Sequence, residues 1–156
     1  MGNEFGHPEW IDFPREGNNW SHKHARRIWS LKDNPELRFM ALKDFDQDMI
    51  TLIKRGSVLR YAPTQLYVSD SQKVLIFGRG RFIFALNFSP VHSFTDFEFC
   101  APSGEYRIAL NTDAKNYDGF GRIDESVHHF TSRKDGGDKL SLYLPSRSAI
   151  VLEKIR

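Results

Sequence analysis

The spacing of apolar residues changes once along this chain. Up to about residue 62 they recur at three- and four-residue steps, and beyond Ala62-Pro63-Thr64 they alternate with polar ones, so the order predicts helix first and sheet afterwards. Ser21 reads as the cap of a short helix running to about Leu31. Asn34-Pro35 reads as N-cap and first position of a second helix over residues 34 to 56, with Leu42, Phe45, Met49, Leu52 and Ile53 on one face. Lys54 and Arg55 suit the negative end of its dipole, and Gly56 offers a left-handed C′ position.

The alternating part predicts about eight short strands separated by turn residues, the pattern of an antiparallel β-sandwich of Greek-key type. Phe82, Phe84, Leu86 and Phe88 share one face and read as core. Thr95, Phe97 and Phe99 alternate with Asp96 and Glu98; Tyr106, Ile108 and Leu110 with Arg107 and Ala109; Leu140, Leu142 and Leu144 with Ser141 and Tyr143. Residues 66–69, 74–77, 127–131 and 149–153 supply the remaining strands. Arg79-Gly80, Ser103-Gly104 and Asp135-Gly136-Gly137-Asp138 are the expected tight turns. The domain division expected is residues 1–62, loop and helices, then residues 63–156, sandwich.

Composition narrows the function. With 156 residues there is room for one main core, and 22 basic against 20 acidic side chains leave a formal charge of +2, so no long-range field gathers nucleic acid or anionic lipid. No apolar run reaches membrane-spanning length. The lone Cys100 excludes an internal disulfide and reads as a buried apolar residue, and no secretory signal opens the chain, so a cytoplasmic location is expected and the sequons at Asn19 and Asn87 carry no meaning. His22 and His24 point to different sides of a helix, and His128 and His129 to opposite sides of a strand. Asn116-Tyr117-Asp118-Gly119 with Glu125 imitates only part of a calcium loop. Neither metal nor cofactor is predicted. Arg79-Gly80-Arg81 reads as a solvated hairpin tip, not as an RNA contact.

The opening segment, Gly2-Asn3-Glu4-Phe5-Gly6-His7-Pro8-Glu9-Trp10-Ile11-Asp12-Phe13-Pro14-Arg15, has the chemistry of a ligand-site loop. It resembles a hallmark segment of the glycogen and starch branching enzymes of the α-amylase superfamily. The likeness continues through Ala25-Arg26-Arg27, Phe45-Asp46-Gln47-Asp48-Met49, Phe94-Thr95-Asp96-Phe97 and Leu144-Pro145-Ser146-Arg147. Where that family commonly shows Ser-Tyr-His-Tyr, this chain has Ser21-His22-Lys23-His24, without the two aromatics.

The resemblance implies a loop and two helices from the end of a β/α barrel, followed by a C-terminal sandwich, and so a C-terminal fragment of a larger enzyme. The implied reaction cuts an α-1,4-glucan with retention and hands the severed chain to a 6-hydroxyl. That chemistry needs two carboxyl groups about 5 Å apart, which the family places upstream of Gly2, so no residue here is expected to be catalytic. Asn3, Glu4, His7 and Trp10 are the expected substrate-binding residues, with α-glucan as partner. For the same loop the residues leave a plainer reading open, with Glu4 and His7 as braces, Trp10 as core and Asp12–Arg15 as a structural ion pair. Two rival classes remain: a noncatalytic glucan-binding module, for which Tyr117 and Tyr143 are the better-placed rings, and a purely supporting sandwich. Cut from its barrel, the chain should expose apolar surface and self-associate, with residues 1 to 20 mobile or held by the helices.

Overall fold

Nine strands carry the second part of the chain: β1 Thr64–Ser69, β2 Val74–Arg79, β3 Phe82–Asn87, β4 Phe94–Cys100, β5 Glu105–Asn111, β6 His128–Phe130, β7 Ser132–Lys134, β8 Gly137–Leu144 and β9 Ser148–Lys154. The computed structural model describes residues 2–8 and 10–156; Met1 and Glu9 of the opening segment lie outside the described residues. Among the described residues one α-helix, α1, spans Phe39–Arg55. The chain divides into two compact units, Met1–Gln47 and Asp48–Arg156.

In the second unit the strands form two antiparallel sheets, β1-β2-β3-β9-β5-β6 and β4-β8-β7. Alternation on the facing surfaces builds the core. The first sheet contributes Val74, Ile76, Ile83, Ala85, Tyr106, Ile150 and Leu152, and the second Phe97, Phe99, Leu140, Leu142 and Leu144. The mainly-β sandwich expected from the pattern is therefore present, with β7 as a ninth strand that its polar Ser132-Arg133-Lys134 sequence conceals.

Several expected details are corrected. On β3 the inter-sheet core takes Ile83 and Ala85, not the phenylalanines. Phe82 is buried on the other face, Phe84 stacks on Phe77 of β2 at 4.8 Å between centroids, and Phe88 lies beyond the strand, exposed. Both faces of this strand are apolar, so alternation alone could not choose between them. Thr95 is exposed because the β4–β8 register shifts between Phe94 and Phe97. A second shift, between Ile108 and Leu110, pairs Ile108 with Leu152 but Leu110 with Val151, and so turns Leu110 away from the inter-sheet core. Cys100 is exposed at the end of β4, with the Lys139 ammonium donating to its Sγ at 3.0 Å.

Helix α1 begins later than the Asn34-Pro35 signal suggests. Asn34 is extended, as a residue before proline prefers, and its side-chain oxygen accepts from the Glu36 amide at 2.9 Å, closing a separate turn. At the other end the left-handed residue is Ser57, φ 49°, not Gly56. Gly56 has a different reason to lack a side chain: a Cβ there would stand 2.3 Å from Cε2 of the buried Phe82 ring.

The short helix expected over residues 21 to 31 does not form. Ser21 Oγ accepts from the Lys23 amide at 3.2 Å, a local turn in place of a helix cap. His24 O accepts from the Asp12 amide at 3.2 Å, while the Ile28 amide, its helical partner in a regular turn, donates to His7 Nε2 at 3.1 Å. Two bonds to the opening loop thus consume the helical ladder, and only a 3₁₀ stretch, Trp29–Asp33, remains.

Candidate functional site

The opening loop is a built structure. Gly2 sits at φ 88°, a left-handed conformation suited to glycine, and a Cβ on it would fall 2.8 Å from the His7 Cβ. Its carbonyl accepts from the His7 amide at 2.9 Å, folding Asn3–Phe5 into a single 3₁₀ turn. That turn buries Phe5 completely, with its ring 5.4 Å from Trp29, 5.7 Å from His7 and 6.5 Å from Phe39. Phe5 is thus a hub of the first unit; Asn3 and Glu4 share its turn and His7 packs on its ring.

Each of the four has a different setting. Asn3 is exposed and Glu4 half-buried on the turn. His7 is half-buried, and its Nε2 lone pair is taken by the Ile28 amide, which places the ring proton on Nδ1 and gives His7 a bracing role. Trp10 is 68% exposed, its indole 6.3 Å from the His24 ring, so within this chain it is a surface ring and not core. Trp10 thus presents a flat apolar face to solvent.

Asp12 and Arg15 form the expected ion pair, Nε to Oδ1 at 3.0 Å. Asn18 completes it, donating through Nδ2 to Asp12 Oδ2 at 2.9 Å and to Phe13 O at 3.0 Å. The hydrogen bonds from Asn18 and Arg15 hold the Asp12 carboxyl below its usual range, so it is an anchored carboxylate rather than a proton donor. Tyr117, one of the rings considered for sugar binding, donates to Asp48 Oδ2 at 2.5 Å, and its hydroxyl is pushed up to about 12, first by burial and then by that carboxylate. Tyr143 keeps an exposed edge.

The structure adds groups that the sequence did not single out. Asn87, buried at the end of β3, donates to His92 O, Leu144 O and Pro145 O at 2.8, 3.2 and 3.0 Å and ties the two sheets together; a polar residue ending an apolar run was its only signal. Asp113 and Arg122 pair across the long loop after β5. His129 faces a cleft lined by Ile108, Val127, Leu142, Tyr143 and Ile150, with its Nε2 buried and unpartnered. No cluster of three or more His, Cys, Asp or Glu able to hold a metal occurs among the described residues, and no described helix is long and apolar enough to cross a membrane.

His129 makes a pH prediction. Burial, with the charge of His128, lowers its pKa from 6.5. The unfolded chain then takes up a proton near pH 6.5 that the folded chain refuses, so stability is full above that value and declines as the pH falls through and below it. The urea midpoint is expected to drop between pH 7.5 and 5.5, and the drop should be smaller in His129→Leu; equal slopes in the two proteins would assign it elsewhere.

A two-sheet antiparallel sandwich preceded by a helix and a glycine-pinned aromatic loop defines an all-β domain joined to an α-containing segment. The chain belongs to the family described as the α-amylase C-terminal all-beta domain, whose model matches residues 67–155. It is similar to the 1,4-alpha-glucan-branching enzyme of Dictyostelium discoideum, 42% identical over 99% of this chain and 24% of that protein. It is 47% identical to the chloroplastic/amyloplastic enzyme of Oryza sativa subsp. japonica over 85% of this chain and 16% of that one. With the Saccharomyces cerevisiae enzyme it shares 40% over 97% of this chain and 22% of that one. The chain thus spans about a quarter or less of these relatives' length. Among solved structures it is similar to a cyclomaltodextrin glucanotransferase with a three-domain ABC distribution, TM-score 0.49 and 18% identity, covering 92% of this chain and 27% of that one.

Proposed function

We propose that this chain serves as the C-terminal part of a 1,4-alpha-glucan branching enzyme, a glycosyltransferase acting on α-glucan in the cytoplasm as a step of glycogen synthesis. The observation that carries the reading is 42% identity to such an enzyme across 99% of the chain. In this reading residues 1–62 continue a catalytic β/α barrel and residues 63–156 form the supporting sandwich. The nucleophile and general acid of a retaining transfer belong to the rest of the enzyme, and the chain alone is inactive.

The test is a chimera in which these 156 residues replace the corresponding part of the Dictyostelium discoideum enzyme. A folded chimera should branch amylose, seen as loss of the amylose–iodine absorbance; a folded but inactive one overturns the proposal. Branching by the isolated chain would overturn the assignment of the carboxylates.

Asn3, Glu4, His7 and Trp10 are proposed as the edge of the glucan groove, supported by the exposed Trp10 ring and by the 3₁₀ turn that carries Asn3 and Glu4. Trp10→Ala in the chimera should raise KM for amylose by roughly ten-fold, the loss of one aromatic contact worth about 1.4 kcal/mol, with kcat nearly unchanged; an unchanged KM would return Trp10 to a packing role. Exposed Trp10, Phe13, Trp20 and Trp29 in the first unit also support self-association of the isolated chain, which light scattering measures directly.

A further inference from the structure

We propose that Arg55, Arg81 and Arg107, gathered around the buried Glu153, form a binding site for a phosphate dianion. The four residues come from four elements of the second unit: the last turn of α1, the β2–β3 hairpin, β5 and β9. Glu153 is 4% exposed. Its Oε1 meets Arg81 Nη2 at 2.7 Å, and its Oε2 meets Arg107 Nη2 at 2.7 Å, Arg107 Nε at 3.2 Å and Arg55 Nη2 at 3.5 Å. Burial alone would raise this carboxyl; the Arg107 hydrogen bonds and the three positive charges outweigh it and hold the pKa down, so Glu153 is ionised.

The charge does not balance. Three guanidinium groups converge on one carboxylate, which leaves a local excess of two positive charges. The partial negative charge of the α1 C-terminus beside Arg55 offsets only part of it. The nearest further acid on β5, Glu105, is already engaged, 2.6 Å from His128 Nδ1 and 3.9 Å from Arg156 Nε. The donors do not balance either: three guanidiniums carry roughly fifteen N–H groups, while Glu153 accepts hydrogen bonds from Arg107 Nε and Nη2 and meets Arg81 and Arg55 as ion pairs. The arginine side chains remain 53%, 54% and 47% exposed, for Arg55, Arg81 and Arg107 respectively, so the unused donors face solvent while the buried carboxylate fixes their positions.

Fixed guanidinium forks with an excess of two charges match a compact dianionic oxyanion, and phosphate supplies both the charge and the paired oxygens. A long polyanion is a poorer match, because the whole chain carries a formal charge of only +2 and no extended basic field. Of the four residues Arg81 alone also lines a cleft, of about 420 Å³, with Thr64, Leu66, Phe82, Tyr106 and Lys154.

The experiment is isothermal titration of the 156-residue chain with inorganic phosphate at pH 7.5, at ionic strength held constant with chloride. Saturable binding is expected, weakened by about ten-fold or more in Arg81→Gln and in Arg55→Gln, each of which leaves Glu153 two arginine partners. Arg133→Gln, on β7 of the other sheet and paired with Asp138, should bind as the parent does. Circular dichroism identifies variants that have kept the fold, and the Arg55 change, at a helix end, serves if the Arg81 variant does not. Glucose 6-phosphate binding more tightly than phosphate, with glucose silent, would identify a monoester as the ligand, and equal affinities would identify free phosphate. No saturable phosphate binding, or binding equally strong in both folded arginine variants, overturns the proposal and leaves the cluster a purely structural clamp.

Discussion

Asp113→Ala is expected to cost about 3 kcal/mol of unfolding free energy, the lower end of the range for removing one partner of a buried ion pair, because Arg122 keeps some solvent contact. Asp113 follows the end of β5 and is 3% exposed. Its Oδ1 accepts from Arg122 Nη2 and Nε at 2.6 and 3.0 Å, its Oδ2 from the Arg122 amide at 2.6 Å, and its carbonyl from the Gly121 amide at 2.6 Å. Arg122 reaches on to Ser146 O at 3.0 Å in the β8–β9 turn. One carboxylate therefore closes the loop after β5, and its arginine partner fastens that loop to the β8–β9 turn at the same end of the sheet. Burial alone would raise the Asp113 pKa, but the Arg122 hydrogen bonds prevail and hold it below the ordinary carboxyl value of 3.8. Its contribution is present above that pH and is lost as the pH falls through and below it. Urea denaturation at pH 7 measures the loss, and a change below about 1 kcal/mol would place this pair among ordinary surface contacts.

Leu140→Ala should cost about 2–5 kcal/mol, the usual range for a fully buried leucine whose cavity cannot collapse. Leu140 has no exposed surface and lies opposite Phe99 across the β4–β8 ladder, inside the core between the sheets. On the same strand Tyr143 points outward, and Tyr143→Ala should change stability by about 0.5 kcal/mol or less. The contrast tests the assignment of faces, because a one-residue slip of β8 would reverse the two results.

The strands that read clearly in the sequence are those with one wet face. On β8, Leu140, Leu142 and Leu144 alternate with polar neighbours, and on β4 Phe97 and Phe99 do the same, so the inward set was legible. On β3 both faces are covered, and Phe82 and Phe84 could not be ranked against Ile83 and Ala85 without knowing what lies on either side. Leu110 was misplaced for another reason, since a register shift exchanges faces within a strand and leaves no trace in the alternation. The opening loop was legible as chemistry. Its bracing by His7 was not, because the partner amide of Ile28 lies 21 residues away and interrupts what local propensity would have made a helix.

The sequence by itself determined the passage from helix to sheet, the sandwich class, the inward residues Phe97, Phe99, Leu140, Leu142 and Leu144 and the family likeness of the opening loop, because all of these reside in spacings of a few residues. Only the tertiary structure decided where the charges meet. Arg55, Arg81, Arg107 and Glu153 are scattered over about a hundred positions and carry no mutual signal along the chain. They are brought together because strand pairing sets Arg107 opposite Glu153 and the β2–β3 hairpin brings Arg81 to it, while the end of α1 supplies Arg55. Burial then makes one carboxylate hold three cations, a consequence of distance and dielectric that short-range spacing does not encode.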